Sequence, residues 1–114
     1  MGTARYTPGP WAVEDPFGPD QYSIVQDGLE AYEWRFIAHV PVGIPAEGLC
    51  PRQEAQANAR LMAAAPDFYR AAMLRREYEA MPADRGGVNG PKGRARAAWL
   101  AAEEAAIAKA DGRS

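Results

Sequence analysis

Apolar residues change their spacing at Pro51, and that change limits the chain to one kind of architecture. Upstream, short runs rich in β-branched and aromatic residues alternate with proline and glycine clusters, which is the pattern of strands and turns. Downstream, alanine-rich segments carry apolar residues every three or four positions, the pattern of amphipathic helices. With 114 residues there is room for one core and not for two domains of ordinary size. The expectation is a single α+β domain over residues 1–114. It would comprise a β-rich half at 1–50, a helix pair at 51–82 broken at Pro66, a Gly/Pro loop at 83–93 and a C-terminal helix at 94–110. The corresponding fold is a small three-stranded antiparallel sheet with two to three helices packed on one face.

The strands follow from the punctuation. Trp11-Ala12-Val13 lies between Pro8-Gly9-Pro10 and a second turn cluster from Asp15 to Asp20, and proline on both sides suits an edge strand. Gln21 to Gln26 and Glu33 to Val40 read as a hairpin whose connection starts at Asp27-Gly28. Alternation along the second of these strands assigns Trp34, Phe36, Ala38 and Val40 to the core, and Glu33, Arg35, Ile37 and His39 to the other face. Residues 41–51 form a connector.

A helix opening at Pro51 or Arg52 places Ala55, Asn58 or Ala59, Met62 and Ala65 on one face, which should lie on the sheet. Pro66 cannot donate an interior helical hydrogen bond, yet it fits the first turn of a new helix, with Asp67 favourable beside that terminus. The spacing therefore predicts a break at Ala65-Pro66. Phe68 or Tyr69, Ala72 and Met73 continue the apolar face, and the alanines before Pro66 permit close approach to a neighbour. The last helix carries only a weak stripe, Trp99, Leu100 and Ile107, which fits packing through Trp99 or against a partner chain.

Composition excludes several functions. A net charge of -2 is unsuited to coating duplex nucleic acid, since such binding neutralises many phosphates. Cys50 is the only cysteine, so neither an intrachain disulfide nor a cysteine metal cage can form, and a reducing bacterial cytoplasm fits. His39 is the only histidine and no metal-binding spacing surrounds it; no metal and no cofactor are expected. The chain shows neither a secretory leader nor an apolar run of membrane-spanning length, so no membrane association is expected. Ser23 sits in no Gly-x-Ser-x-Gly setting, and His39 has no recognisable nucleophile beside it. An enzyme is not expected.

Five residues are the candidates for ligand binding: Arg35, Asn58, Arg94, Arg96 and Trp99. Asn58 puts an amide on a helical face read as buried, where an unpaired polar group costs about 1–3 kcal/mol. Its first reading is structural, a bond to the backbone of an adjoining strand or of the 41–51 connector, with ligand contact as the alternative. Lys92, Arg94 and Arg96 cluster where the last helix begins, with Arg85 across the glycine loop. Backbone N–H groups at a helix start and arginine forks both suit phosphate, and Trp99 could stack a base beside them. Arg35 would meet this cluster from the sheet. A solvated basic loop is the plainer reading of the same residues.

Two motifs carry a family resemblance. "TPGPW" at Thr7 to Trp11, followed by "EAQANARLMAAAPDFYRA" at Glu54 to Ala71, resembles a widespread group of small phage and prophage proteins. Tyr6 stands where a histidine is common in that group, Met62 replaces isoleucine, and Asp67-Phe68-Tyr69 replaces Glu-Leu-Leu. The resemblance implies a phage accessory protein, and such proteins often act in counter-defence. The partner would be a nucleotide-like immune signal to be sequestered or a host defence protein to be inhibited. The order of sheet and helices is similar in outline to the Thoeris anti-defence sponges, without a shared residue motif. A structural or assembly protein of phage origin is the alternative. Small size and a one-sided sheet lead to the expectation of a homodimer.

Overall fold

The computed structural model describes residues 6–14, 20–27 and 35–113. Strands β1 (Trp11–Glu14), β2 (Gln21–Gln26) and β3 (Phe36–Pro41) form an antiparallel sheet in the order β1-β2-β3. Helices α1 (Arg52–Ala63), α2 (Ala65–Ala80) and α3 (Pro91–Ala110) follow. The fold is thus α+β with a three-stranded antiparallel sheet and three helices. The expected strand start at Glu33, the core assignment of Trp34 and the turn residues 15–19 lie outside the described residues.

Strand β2 is central because both neighbours pair with it, Val13 and Ala38 each standing opposite Ile24. Its interior residues Tyr22, Ser23, Ile24 and Val25 are all buried. Tyr22 and Ile24 form the core with Val40 and with Ala55, Ala59 and Ala63 of α1. Alanine at i, i+4 and i+8 removes the side-chain bulk that would hold helix and sheet apart, so α1 seats directly on the strands. Trp11, Val13, Ile37, Ala38 and Val42 pack around the margin.

Two face assignments differ from the sequence expectation. In β3 the register shifts: Ile24 faces Ala38 but Val25 faces Phe36, leaving Ile37 as an extra residue. A bulge of this kind reverses the alternation on one side of itself. Ile37 therefore packs against the core, whereas Phe36 is 50% exposed and lies against the His39 ring at 5.4 Å. In α1 the buried position falls to Ala59 and not to Asn58, which is exposed. Met62 is exposed too, and Ala63 and Ala64 are buried in place of Met62 and Ala65. The sheet takes the face with the smallest side chains and leaves the larger ones outside.

The helix break lies at Ala64, one residue before the expected position. The Ala64 N–H is shared between the carbonyls of Arg60 and Leu61, at 3.1 and 3.2 Å. Pro66 then occupies the first turn of α2, where its missing N–H would have had no intrahelical acceptor. Helix α3 begins at Pro91, before the expected Arg94, with Gly90 as its N-cap. Helices α2 and α3 pack along each other, and α3 also touches α1. An ion pair from Lys109 to Asp67, at 3.0 Å, joins the last turn of α3 to the first turn of α2. Tyr78 stacks on Trp99 toward the other end, so the two helices form an antiparallel hairpin. The molecule is long, with extents of 57 × 29 × 22 Å.

Candidate functional site

Two surface grooves lie at opposite ends of the helical hairpin. The first is at its tip, a concavity of about 470 Å³ lined by Tyr78, Val88, Lys92, Arg96 and Leu100, with Asp84 on its loop side. Lys92 lies over the Tyr78 ring at 5.3 Å. Asp84 is the loop's anchor: one carboxylate oxygen accepts the Gly86 N–H at 2.8 Å and the other the Lys92 N–H at 2.9 Å. These bonds, Lys92's first, hold its carboxyl below the ordinary value of 3.8. The loop closes tightly, and a side chain on Gly90 would run into Asp84 and the Gly86 backbone.

This geometry changes what the amino terminus of α3 can offer. The sequence presents it as a set of free N–H groups for a phosphate, but the Lys92 N–H already faces an internal carboxylate and the Arg94 N–H bonds the Gly90 carbonyl. Trp99 is likewise engaged. Its ring stacks on Tyr78 at 5.6 Å and carries Arg75 at 5.1 Å, and its Nε1 donates to Glu103 at 3.2 Å. Of the sequence candidates, Arg96 lines the tip groove, and Arg94 stands exposed two positions before it.

Arg35 and Asn58 are elsewhere. Fifteen residues of α3 separate Arg94 from Lys109, roughly 22 Å at about 1.5 Å per residue. Lys109 marks the end of the hairpin next to α1, whereas Arg35, exposed, immediately precedes β3 and its carbonyl accepts the Gln26 N–H. The structure does not bring Arg35 to the basic cluster. The Asn58 side-chain amide donates to Cys50 Sγ at 3.8 Å, a weak bond on an exposed face. Its partner does lie in the 41–51 connector, but through a side chain.

The second groove is formed by the segment before β1 lying on the start of α2. It is about 510 Å³, lined by Tyr6, Pro8, Pro10, Pro66, Tyr69 and Arg70. A smaller concavity of about 210 Å³, reaching Trp11 and Ala65, shares Tyr6, Pro66 and Tyr69 with it. Tyr6 meets Tyr69 edge to face at 5.5 Å. Gly9 lies close against the helix, since a Cβ there would stand 2.6 Å from Pro66 Cβ. Trp11 Nε1 donates to the Thr7 carbonyl at 3.0 Å, which folds the segment back on itself. Periodicity did not reveal this groove: it admitted Phe68 or Tyr69 to the apolar face of the helix, and Tyr69 is 53% exposed. A signal was present: the groove is where the Thr7–Trp11 motif meets the second half of the Glu54–Ala71 motif.

A third constellation was also missed. Ser23 Oγ lies 2.9 Å from His39 Nδ1, with Gln21 Nε2 at 3.2 Å from the same nitrogen. The register that puts Ser23 opposite His39 makes the pair. Ser23 is only 1% exposed, so its hydroxyl cannot meet an outside substrate, and the bond satisfies a buried polar group. Among the described residues no three His, Cys, Asp or Glu side chains cluster to hold a metal ion, and no helix is long and apolar enough to cross a membrane.

No curated protein and no solved structure matches this chain. A family model described as Salmonella phage P22 protein Y8K6 matches residues 1–114, and the chain belongs to that phage protein family.

Proposed function

We propose that this chain is a non-enzymatic phage accessory protein that binds a macromolecular partner, a host defence protein, along the exposed edge of α1 and α2. One observation carries the reading. Leu61, Ala65 and Tyr69 follow one another four residues apart and all are exposed, Leu61 by 57% and Tyr69 by 53%. Ala64, between the two helices, has φ −83° and ψ −4°, so the chain bends there and the exposed residues flank the junction from both helices. Met62, 42% exposed, follows Leu61 on α1, and Tyr6, 44% exposed, is in contact with Tyr69 on α2. Apolar surface left in water gains about 25 cal/mol per Å² when a partner covers it. Membership in a phage family supports counter-defence as the setting.

The tip groove favours a second reading, a nucleotide-like small ligand. Lys92 and Arg96 supply charge there and Tyr78 an aromatic ring. Asp84 and the covered Trp99 weigh against it, because the best anion donors and the best stacking surface are already engaged within the chain. The test is purification from the bacterial host followed by native mass spectrometry, with and without cyclic and ADP-ribose-derived nucleotides. A co-purifying protein lost in Leu61→Asp/Met62→Asp supports the first reading. A stoichiometric nucleotide adduct lost in Lys92→Ala/Arg96→Ala supports the second, and higher-order assembly of the chain alone points to a structural role.

A further inference from the structure

The groove between the segment preceding β1 and the start of α2 has a chemistry of its own. Its walls are rings: prolines 8, 10 and 66, with Tyr6 and Tyr69. The smaller concavity is lined by Trp11 and Ala65 as well, and the two share Tyr6, Pro66 and Tyr69. Together they present a surface of proline and aromatic rings.

Ring orientation decides what fits. A flat nucleobase stacks best in a slot with roughly parallel walls, whereas Tyr6 and Tyr69 stand at 70° to each other. Rings set edge to face leave angular notches, and these take puckered pyrrolidine rings or aliphatic side chains. An extended polyproline II segment presents such rings in a fixed conformation, so little conformational entropy is lost when it binds. The groove is also set in advance by the close approach of Gly9 to Pro66 and by the Trp11 bond to the Thr7 carbonyl.

Charge chooses among such segments. Asp67 borders the groove, but its carboxylate is bonded to Lys109. The Arg70 side chain, exposed on the same rim, makes no hydrogen bond or ion pair among the described residues. An acidic side chain is what complements it, through the planar fork that suits a carboxylate.

We infer that this groove binds an extended, proline-containing peptide segment of the partner, with an acidic residue placed on Arg70. The inference rests on the reading that the chain binds a protein, and it names the part of the partner that docks beside Tyr69. Tyr6 and Tyr69 hold the proline rings, and Arg70 fixes direction and register.

The probe is a fluorescein-labelled ten-residue peptide of proline and alanine with one central glutamate. Its counterparts carry lysine at the centre or serine in place of every proline. Fluorescence anisotropy is read on the full chain and on Tyr69→Ala, Arg70→Ala and Arg70→Glu, whose exposed positions leave the fold intact, as a thermal melt checks. The expected result is saturable binding of the glutamate peptide, weakened about tenfold or more by Tyr69→Ala or Arg70→Ala. Arg70→Glu should reverse the preference toward the lysine peptide. Amide shifts on adding the peptide should map to Tyr6, Ala65 and the residues from Asp67 to Arg70.

No binding at millimolar peptide overturns the inference, as does equal binding of the proline-free peptide. Shifts at these amides with ADP-ribose alone, or a dimer that Tyr69→Ala dissolves, would give the groove to another occupant. If the peptide fails while a host protein still depends on Leu61 and Met62, only this inference falls. If that dependence is absent too, the protein-binding reading falls with it.

Discussion

Ala59 and Asn58 are neighbours in sequence with opposite positions in the structure. Ala59 has no exposed surface, and Leu there would force α1 away from β2; the expected cost is about 1–3 kcal/mol, read by chemical denaturation. Asn58→Ala removes only an exposed amide and a 3.8 Å contact with sulfur, so stability should change by less than about 0.5 kcal/mol. Sequence periodicity admitted either residue to the buried stripe, because the two lie 100° apart on a helix and the stripe is wide. What separates them is how closely the sheet approaches, and that depends on residues distant in sequence. Asp84 makes a residue-scale prediction of a different kind. Its carboxyl is held below 3.8 by backbone bonds, so the loop anchor is fully present above that pH and is lost as pH falls through the lowered folded value. The Gly86 and Lys92 amide resonances should titrate with a midpoint below 3.8, and Asp84→Ala should abolish that titration.

At the scale of elements, the order of strands and helices was legible from turn chemistry and period, and the helix break from Pro66. The bulge in β3 was not. Reversing the faces of Phe36 and Ile37 requires one extra residue in the pairing, and an alternating pattern shows no mark of it until the partner strand is placed. The same limit hid the Ser23–His39 bond, which depends on the hairpin register. The basic cluster was legible as composition, yet its availability was not, because Asp84 had to be found opposite the start of α3. Trp99 shows the consequence for experiment. Its contacts with Tyr78, Arg75 and Glu103 tie α3 to α2, so Trp99→Ala should destabilise the hairpin by about 2 kcal/mol, below the cost of a fully buried aromatic. Any loss of ligand binding in that variant has to be read against its melting temperature.

At the scale of the molecule, length is the property to explain. The radius of gyration is 17.7 Å, against about 13 Å for a compact chain of this size. Only α1 is seated on the sheet core, while α2 and α3 bury one alanine each, Ala71 and Ala106, and extend as a hairpin. Such a shape exposes much surface for its mass, which suits a protein that works by contact. Small-angle scattering of the monomer should report this elongation, and a value near 13 Å would show that the hairpin folds back. The central claim is that the α1–α2 edge meets a host protein. Its most direct test is a photo-crosslinking amino acid placed at Leu61, with exposed Glu77 as the control position, in living host bacteria. The account predicts a discrete adduct with one host protein from position 61, absent from position 77 and abolished by Met62→Asp. No adduct from position 61, or equal adducts from both positions, would contradict it.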